Sequence, residues 1–152
     1  MALGLSAIVN AIISDIAALG VFDVVLAHEP KGAPVNGLSA CVWVSEVGPA
    51  VGGSGLNSTS SRVALTIRLS INALTEPQDG VDLVLTDALD QVMGALSGGL
   101  SLSGNVRCVD LLGVHGSPLG AVAGYLQLDG VVLRIYTVTC PVIVNDVWTQ
   151  GA

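Results

Sequence analysis

Residues 124–136 read Gly-Tyr-Leu-Gln-Leu-Asp-Gly-Val-Val-Leu-Arg-Ile-Tyr, two alternating runs set around Asp129-Gly130. That dipeptide favours a type I′ turn, in which both central residues need φ > 0. A two-residue turn fixes the register of the strands beside it. Leu128 then faces Val131, Leu126 faces Leu133 and Gly124 faces Ile135 on one side. Gln127 faces Val132, Tyr125 faces Arg134 and Ala123 faces Tyr136 on the other. The first side is apolar and is expected to belong to a core. The second carries two tyrosines and an arginine, residue types enriched at protein interfaces. It is expected to meet another protein.

Around this hairpin, strands are expected near 106–112, 121–128 and 131–144. Pro141 in the last predicts a bulge there or an edge beyond it. Upstream, Val63, Leu65, Ile67, Leu69 and Ile71 alternate with Arg62, Ala64, Thr66, Arg68 and Ser70, the clearest half-buried strand of the chain. Two shorter strands are expected at 21–27 and 38–47. Leu5, Ile8, Val9, Ile12, Ile16 and Leu19 recur at helical spacing, with Gly20 as the stop. A second helix follows Pro77 and Asp79. It buries Val81, Val84, Leu85, Ala88, Leu89, Val92 and Leu96 and exposes Asp79, Asp82, Asp87 and Asp90. The order is helix, three strands, helix, three strands. It predicts one α+β domain over residues 1–152, with a mixed, largely antiparallel sheet and two helices packed on one face. Gly48 to Ser61, rich in Gly and Ser, reads as the longest loop.

The composition excludes several function classes. Of 152 residues, 51% are hydrophobic and only 11% charged, and the net charge is −7. The five cations are Lys31, Arg62, Arg68, Arg107 and Arg134. They form no cluster, so the chain is not built to grip nucleic acid. No apolar, uncharged window reaches the roughly 20 residues a membrane span needs. Met1 to Ser14 lacks a basic start and is not expected to be a signal peptide. Such low charge on so apolar a chain suggests that other subunits cover part of the surface. Cys41, Cys108 and Cys140 are odd in number and form no C-x-x-C pair. They read as buried, reduced thiols.

Chemistry-bearing groups are few. His28 and His115 both fall in Gly/Pro loops. A Cys108–His115 nucleophilic pair would need a third, orienting group that nothing in the sequence signals. Gly52-Gly53-Ser54-Gly55 and Gly113-Val114-His115-Gly116 lack the lysine and the strand–helix setting of a phosphate loop. Asn57-Ser58-Thr59 matches a glycosylation sequon by chance. Asp79, Asp82 and Asp90 form a stripe that reads first as a solvated face and second as a dock for an arginine of a neighbouring subunit. Hard cations prefer loop carboxylates and carbonyls. No catalytic, cofactor or metal residue is expected.

The layout resembles the tail terminator proteins of long-tailed bacteriophages. The strand 62–71, the helix 82–93, the hairpin 124–139 and the ending Val144-Asn-Asp-Val-Trp148 carry the resemblance. It implies a non-enzymatic virion subunit, assembled in the host cytoplasm and placed at the tail–neck junction. Such subunits form a ring, six-fold in the family, that caps the tail tube, stops its growth and joins the head-side connector. The genome passes through without specific binding. Candidate contact residues are Tyr125, Arg134, Tyr136, Arg62, Arg68, Asp82, Asp90, Gly53, Ser54 and Trp148, and the loop 48–61 is expected to order on the tube. Competing readings are another neck protein, such as a head–tail stopper, and a small ligand-binding or enzymatic domain using Gly113–Gly120.

Overall fold

Asp129 and Gly130 take φ of 50° and 75°, so both central residues of the hairpin turn are left-handed, as a type I′ turn requires. The register that follows is the one the turn dictates, from Leu128 opposite Val131 through Tyr125 opposite Arg134 to Ala123 opposite Tyr136. The computed structural model describes residues 4–32, 37–50, 58–74, 78–98 and 108–149.

The elements in order are α1 (Leu5–Ala18), β1 (Val24–Leu26), β2 (Ser39–Pro49), β3 (Ser58–Asn72), a 3₁₀ turn (Gln78–Gly80), α2 (Val81–Ser97), β4 (Cys108–Val109), β5 (Gly120–Leu128) and β6 (Val131–Thr149). The fold is α+β, and the strands form one mixed sheet in the order β1-β2-β3-β6. Only β1 and β2 run parallel. The far side of β6 is shared, β5 pairing with residues 131–139 and β4 with 142–143.

Pro141 sits where β6 changes neighbour. Its carbonyl accepts from Asp110 N at 2.9 Å, away from β3, whereas that of Val132 accepts from Ala73 N at 3.0 Å, on the β3 side. A strand residue aims its N and O to the same side. The missing N–H of Pro141 therefore points to the seam between β5 and β4, and no bond to β3 is lost.

One hydrophobic cluster joins Ile8, Ile12 and Ile16 of α1 with Val81, Leu85, Ala88, Val92 and Leu96 of α2. Val63, Leu65, Ile67, Leu69 and Ile71 of β3 and Val138, Cys140 and Val142 of β6 complete it, and the β3–β6 register puts these strand residues on one side of the sheet. Both helices bury an i, i+3/i+4 stripe, whose burial holds short helices that propensity alone would not. Val84, expected on the buried side of α2, is instead exposed.

This arrangement corrects the expected face of the hairpin. Arg134 pairs with Ile71 and Tyr136 with Leu69, so the side bearing the tyrosines and the arginine is the side of the main cluster. Leu133 and Ile135 are buried on the opposite side, outside that cluster. The physical reason lies in β6. Val138, Cys140 and Val142 make one side apolar beyond Tyr136, while Leu133, Ile135 and Ile143 keep the other apolar. A strand apolar on both faces does not announce which one the helices choose.

The loop expected over 48–61 is shorter than its composition suggests. Gly48 and Pro49 still pair with Arg62 and Ser61, and Ala50 N donates to Ser60 O at 2.8 Å. Residues 51–57, with Gly53 and Ser54, lie outside the described residues.

Candidate assembly interface

Arg134 is the centre of the polar patch on the hairpin. Its Nε donates to Asp82 Oδ1 at 2.9 Å and its Nη1 to the carbonyl of Gly124 at 3.1 Å. The guanidinium carbon lies 4.6 Å from the centre of the Tyr125 ring. Directly opposed residues of a non-hydrogen-bonded pair approach closely enough for this stacking. Tyr136 Oη and Thr86 Oγ1 share a hydrogen bond of 3.1 Å. Asp82 and Thr86 lie four residues apart on α2, so one helix face meets both hairpin residues.

The acidic partner expected from a neighbouring subunit is thus supplied by the chain's own Asp82. Asp82 also stands in the first turn of α2, where the helix dipole favours a negative charge. Asp90 is exposed two turns on. Tyr125 keeps 66% of its surface exposed.

Arg62 and Arg68 lie on the other side of the sheet from Arg134. Arg68 packs over Trp43, its guanidinium carbon 5.4 Å from the ring centre, and its Nε is buried without a partner. Arg62 is only 8% exposed. Its Nη2 donates to Ser117 O at 3.0 Å and its Nε has no partner. A Cβ on Gly116 would stand 2.8 Å from that Nε and push the guanidinium aside, and the φ of 155° at Gly116 favours glycine in any case. Glu46, His115 and Ser117 line the cleft beside it. Trp148 is at the far end of β6, paired with Thr59. The structure therefore brings Tyr125, Arg134, Tyr136 and Asp82 together and leaves the remaining described candidates apart.

Asp110 lies in no sequence motif named above, yet it organises the loop that follows it. It is buried, and its carboxylate accepts from Val114 N at 2.8 Å and His115 N at 3.0 Å. Such bonds from a short acidic side chain to amides a few residues on stiffen a loop. Gly113 supplies the left-handed turn at φ 74°. The braced loop holds Leu112 and Val114 at 88% and 77% exposure, with Leu111 also exposed. Its signal was the short spacing from Asp110 to the Gly-rich run.

The same loop carries the ligand-binding alternative. A cleft of about 300 Å³ is lined by Val109, Asp110, Leu111, Leu112, Val114, His115 and Ile143. Asp110 holds backbone amides there rather than the imidazole. Cys41 and Cys140 are buried free thiols. Burial pushes Cys140 up to about 12. Burial raises Cys41 as well, and the nearby Arg68 partly offsets the rise. Neither is an activated nucleophile. Among the described residues, no three His, Cys, Asp or Glu side chains group as a metal site. No helix among them is long and apolar enough to cross a membrane.

No family model matches the chain, and no curated protein matches it. Among solved structures it is similar to a chain in the virion of a native gene transfer agent particle. The identity is 17% and the TM-score 0.49, covering 90% of this chain and 94% of that one. It is also similar to the sheath/tube terminator of an extracellular contractile injection system in the extended state. There the identity is 13% and the TM-score 0.40, covering 97% of this chain and 58% of that one.

Proposed function

We propose that this chain is a structural subunit of the phage tail neck. It assembles with copies of itself into a ring, six-fold as in the tail terminators it resembles in sequence layout. The ring caps the tail tube, ends its polymerisation and joins the tail to the head-side connector. The observation that carries this reading is the loop braced by Asp110. A loop stiffened by a buried carboxylate, yet displaying Leu111, Leu112 and Val114 to solvent, is suited to docking on protein. Tyr125, Arg134, Tyr136, Arg62, Arg68, Asp82, Asp90, Gly53, Ser54 and Trp148 are proposed as contact residues. A net-negative ring lets the genome pass without adhering to phosphates. The proposed site of action is the virion, with no cofactor and no catalysis.

Negative-stain imaging of the purified chain mixed with tail tubes tests this. Rings at tube ends, and tubes that stop growing when the chain is added, are expected. Tubes that elongate unchanged, together with absence of the chain from purified virions, would overturn it.

A further inference from the structure

The turn fixes which backbone groups of β5 look outward. Leu128 and Val131 close a two-residue turn and exchange hydrogen bonds, and bonded and non-bonded pairs alternate from there. Leu126, Gly124, Val122 and Gly120 therefore bond β6. Ala121, Ala123, Tyr125 and Gln127 turn their N–H and C=O groups away from it. Among the described residues, β5 pairs with β6 alone and no group meets those outward donors and acceptors.

This edge is also unguarded. Sheet edges are normally blunted by charge, proline, bulges or shortness. The opposite margin uses all four. β1 has three residues. Beyond it, β2 carries a bulge between Val44 and Glu46, the charge of Glu46, and Pro49. The bulged Ser45 turns its hydroxyl to Ala64 O at 2.9 Å. β5, by contrast, runs nine residues as Gly-Ala-Val-Ala-Gly-Tyr-Leu-Gln-Leu, with neither charge nor proline. It leaves Val122 and Tyr125 at 73% and 66% exposure.

The strand is complementary to itself. We propose that the β5 edge takes the β5 edge of a second copy, antiparallel, about a twofold axis at Ala123. In that register Ala121 faces Tyr125 of the second copy, Val122 faces Gly124, and Gly120 faces Leu126. Each large side chain meets a small one. The outward-looking residues, Ala121, Ala123 and Tyr125, are the ones that meet as hydrogen-bonded pairs, so backbone and side-chain demands select the same register. No like charges oppose, because the strand has none. The pairing joins two sheets into one and covers Val122 and Tyr125. It is isologous and closes at two copies. It therefore differs from a ring contact and does not rest on the neck reading.

The test uses the full chain and sedimentation velocity between about 1 and 100 µM, a range that brackets ordinary dimer affinities. The chain is expected to dimerise. Ala123→Pro removes the donor at the twofold without touching the β6 ladder. It should weaken dimerisation roughly thirtyfold, since two symmetry-related bonds go, while leaving the monomer folded. Ala123→Cys should cross-link to itself under mild oxidation, because bonded antiparallel pairs hold Cα atoms about 5.5 Å apart. The parent chain and Val132→Cys, placed on β6 off the edge, should not. If Ala123→Pro fails to fold, the cross-link decides. A chain monomeric throughout, a dimer indifferent to Ala123→Pro, or no cross-link above the parent would each overturn the pairing. Rings that form normally with Ala123→Pro while dimers never appear would sink this pairing and leave the neck reading standing. Dimers lost with Ala123→Pro, in a chain absent from virions, would do the reverse.

Discussion

Arg134 and Asp82 join the end of the sheet to the first turn of α2 through one hydrogen-bonded ion pair of 2.9 Å. Asp82 is exposed, so solvent screens the charge and the contact is worth little by itself. Arg134 also meets Gly124 O and the Tyr125 ring, which makes it a clip across three elements.

Arg134→Ala should therefore destabilise the isolated chain by about 1 kcal/mol, and Asp82→Ala by about half of that. Urea unfolding of both variants and of the double mutant checks this. A double mutant no worse than Arg134→Ala shows that the pair acts as one contact. No loss in any of the three means the clip is idle.

Gly130→Ala should cost about 1 kcal/mol, because Gly130 holds φ 75° and a Cβ disfavours that region. Space is not the obstacle, since nothing lies within 4 Å of the added Cβ. A substitution to D-alanine by chemical synthesis should restore stability, and thermal melts compare the two.

Asp110→Ala should loosen the loop that follows it. Two amides lose a charged acceptor, at a cost of about 2–3 kcal/mol. Limited proteolysis should show new cleavage within residues 111–117, where the parent resists. Asp110→Asn, which keeps one acceptor, should fall between the two.

Cys140 gives a pH signature. Burial raises its thiol from 9.0 to about 12, so the folded chain favours the protonated form. That preference is fully present below pH about 9 and is lost as pH climbs from there towards about 12, by about 1.4 kcal/mol per unit. Urea midpoints of the parent and of Cys140→Ala should converge over that range. Parallel curves would contradict the assignment.

How far the sequence could be read varies with the kind of signal. Turn chemistry is local, so Asp129-Gly130 gave the register of β5 against β6 residue by residue. The 3.6 period gave α1 and α2 nearly to their ends, and the stacking of Arg134 on Tyr125 followed from register alone. Face choice is not local. Tyr136 and Arg134 look like free surface until α2 is docked, and Asp82 joins them across a separation in sequence that no pattern encodes. The paired ends of the 48–61 segment were hidden because ladder bonds need no particular side chain. The fit of Arg62 against Gly116 was hidden for a related reason, since the φ of 155° at Gly116 already calls for glycine locally and the approach of an arginine from a distant strand leaves no separate mark.

Pro141 has a mechanical consequence. Because it offers no donor towards the seam, the β5 and β4 pairings share no bond at that point. The outer margin of the sheet is two short zippers in series rather than one long one. A pull that peels β5 from Leu128 towards Gly120 runs out at the proline, and the loop anchored by Asp110 keeps its hold on β6. A contact made or broken along one half of this margin can thus leave the other half's shape intact.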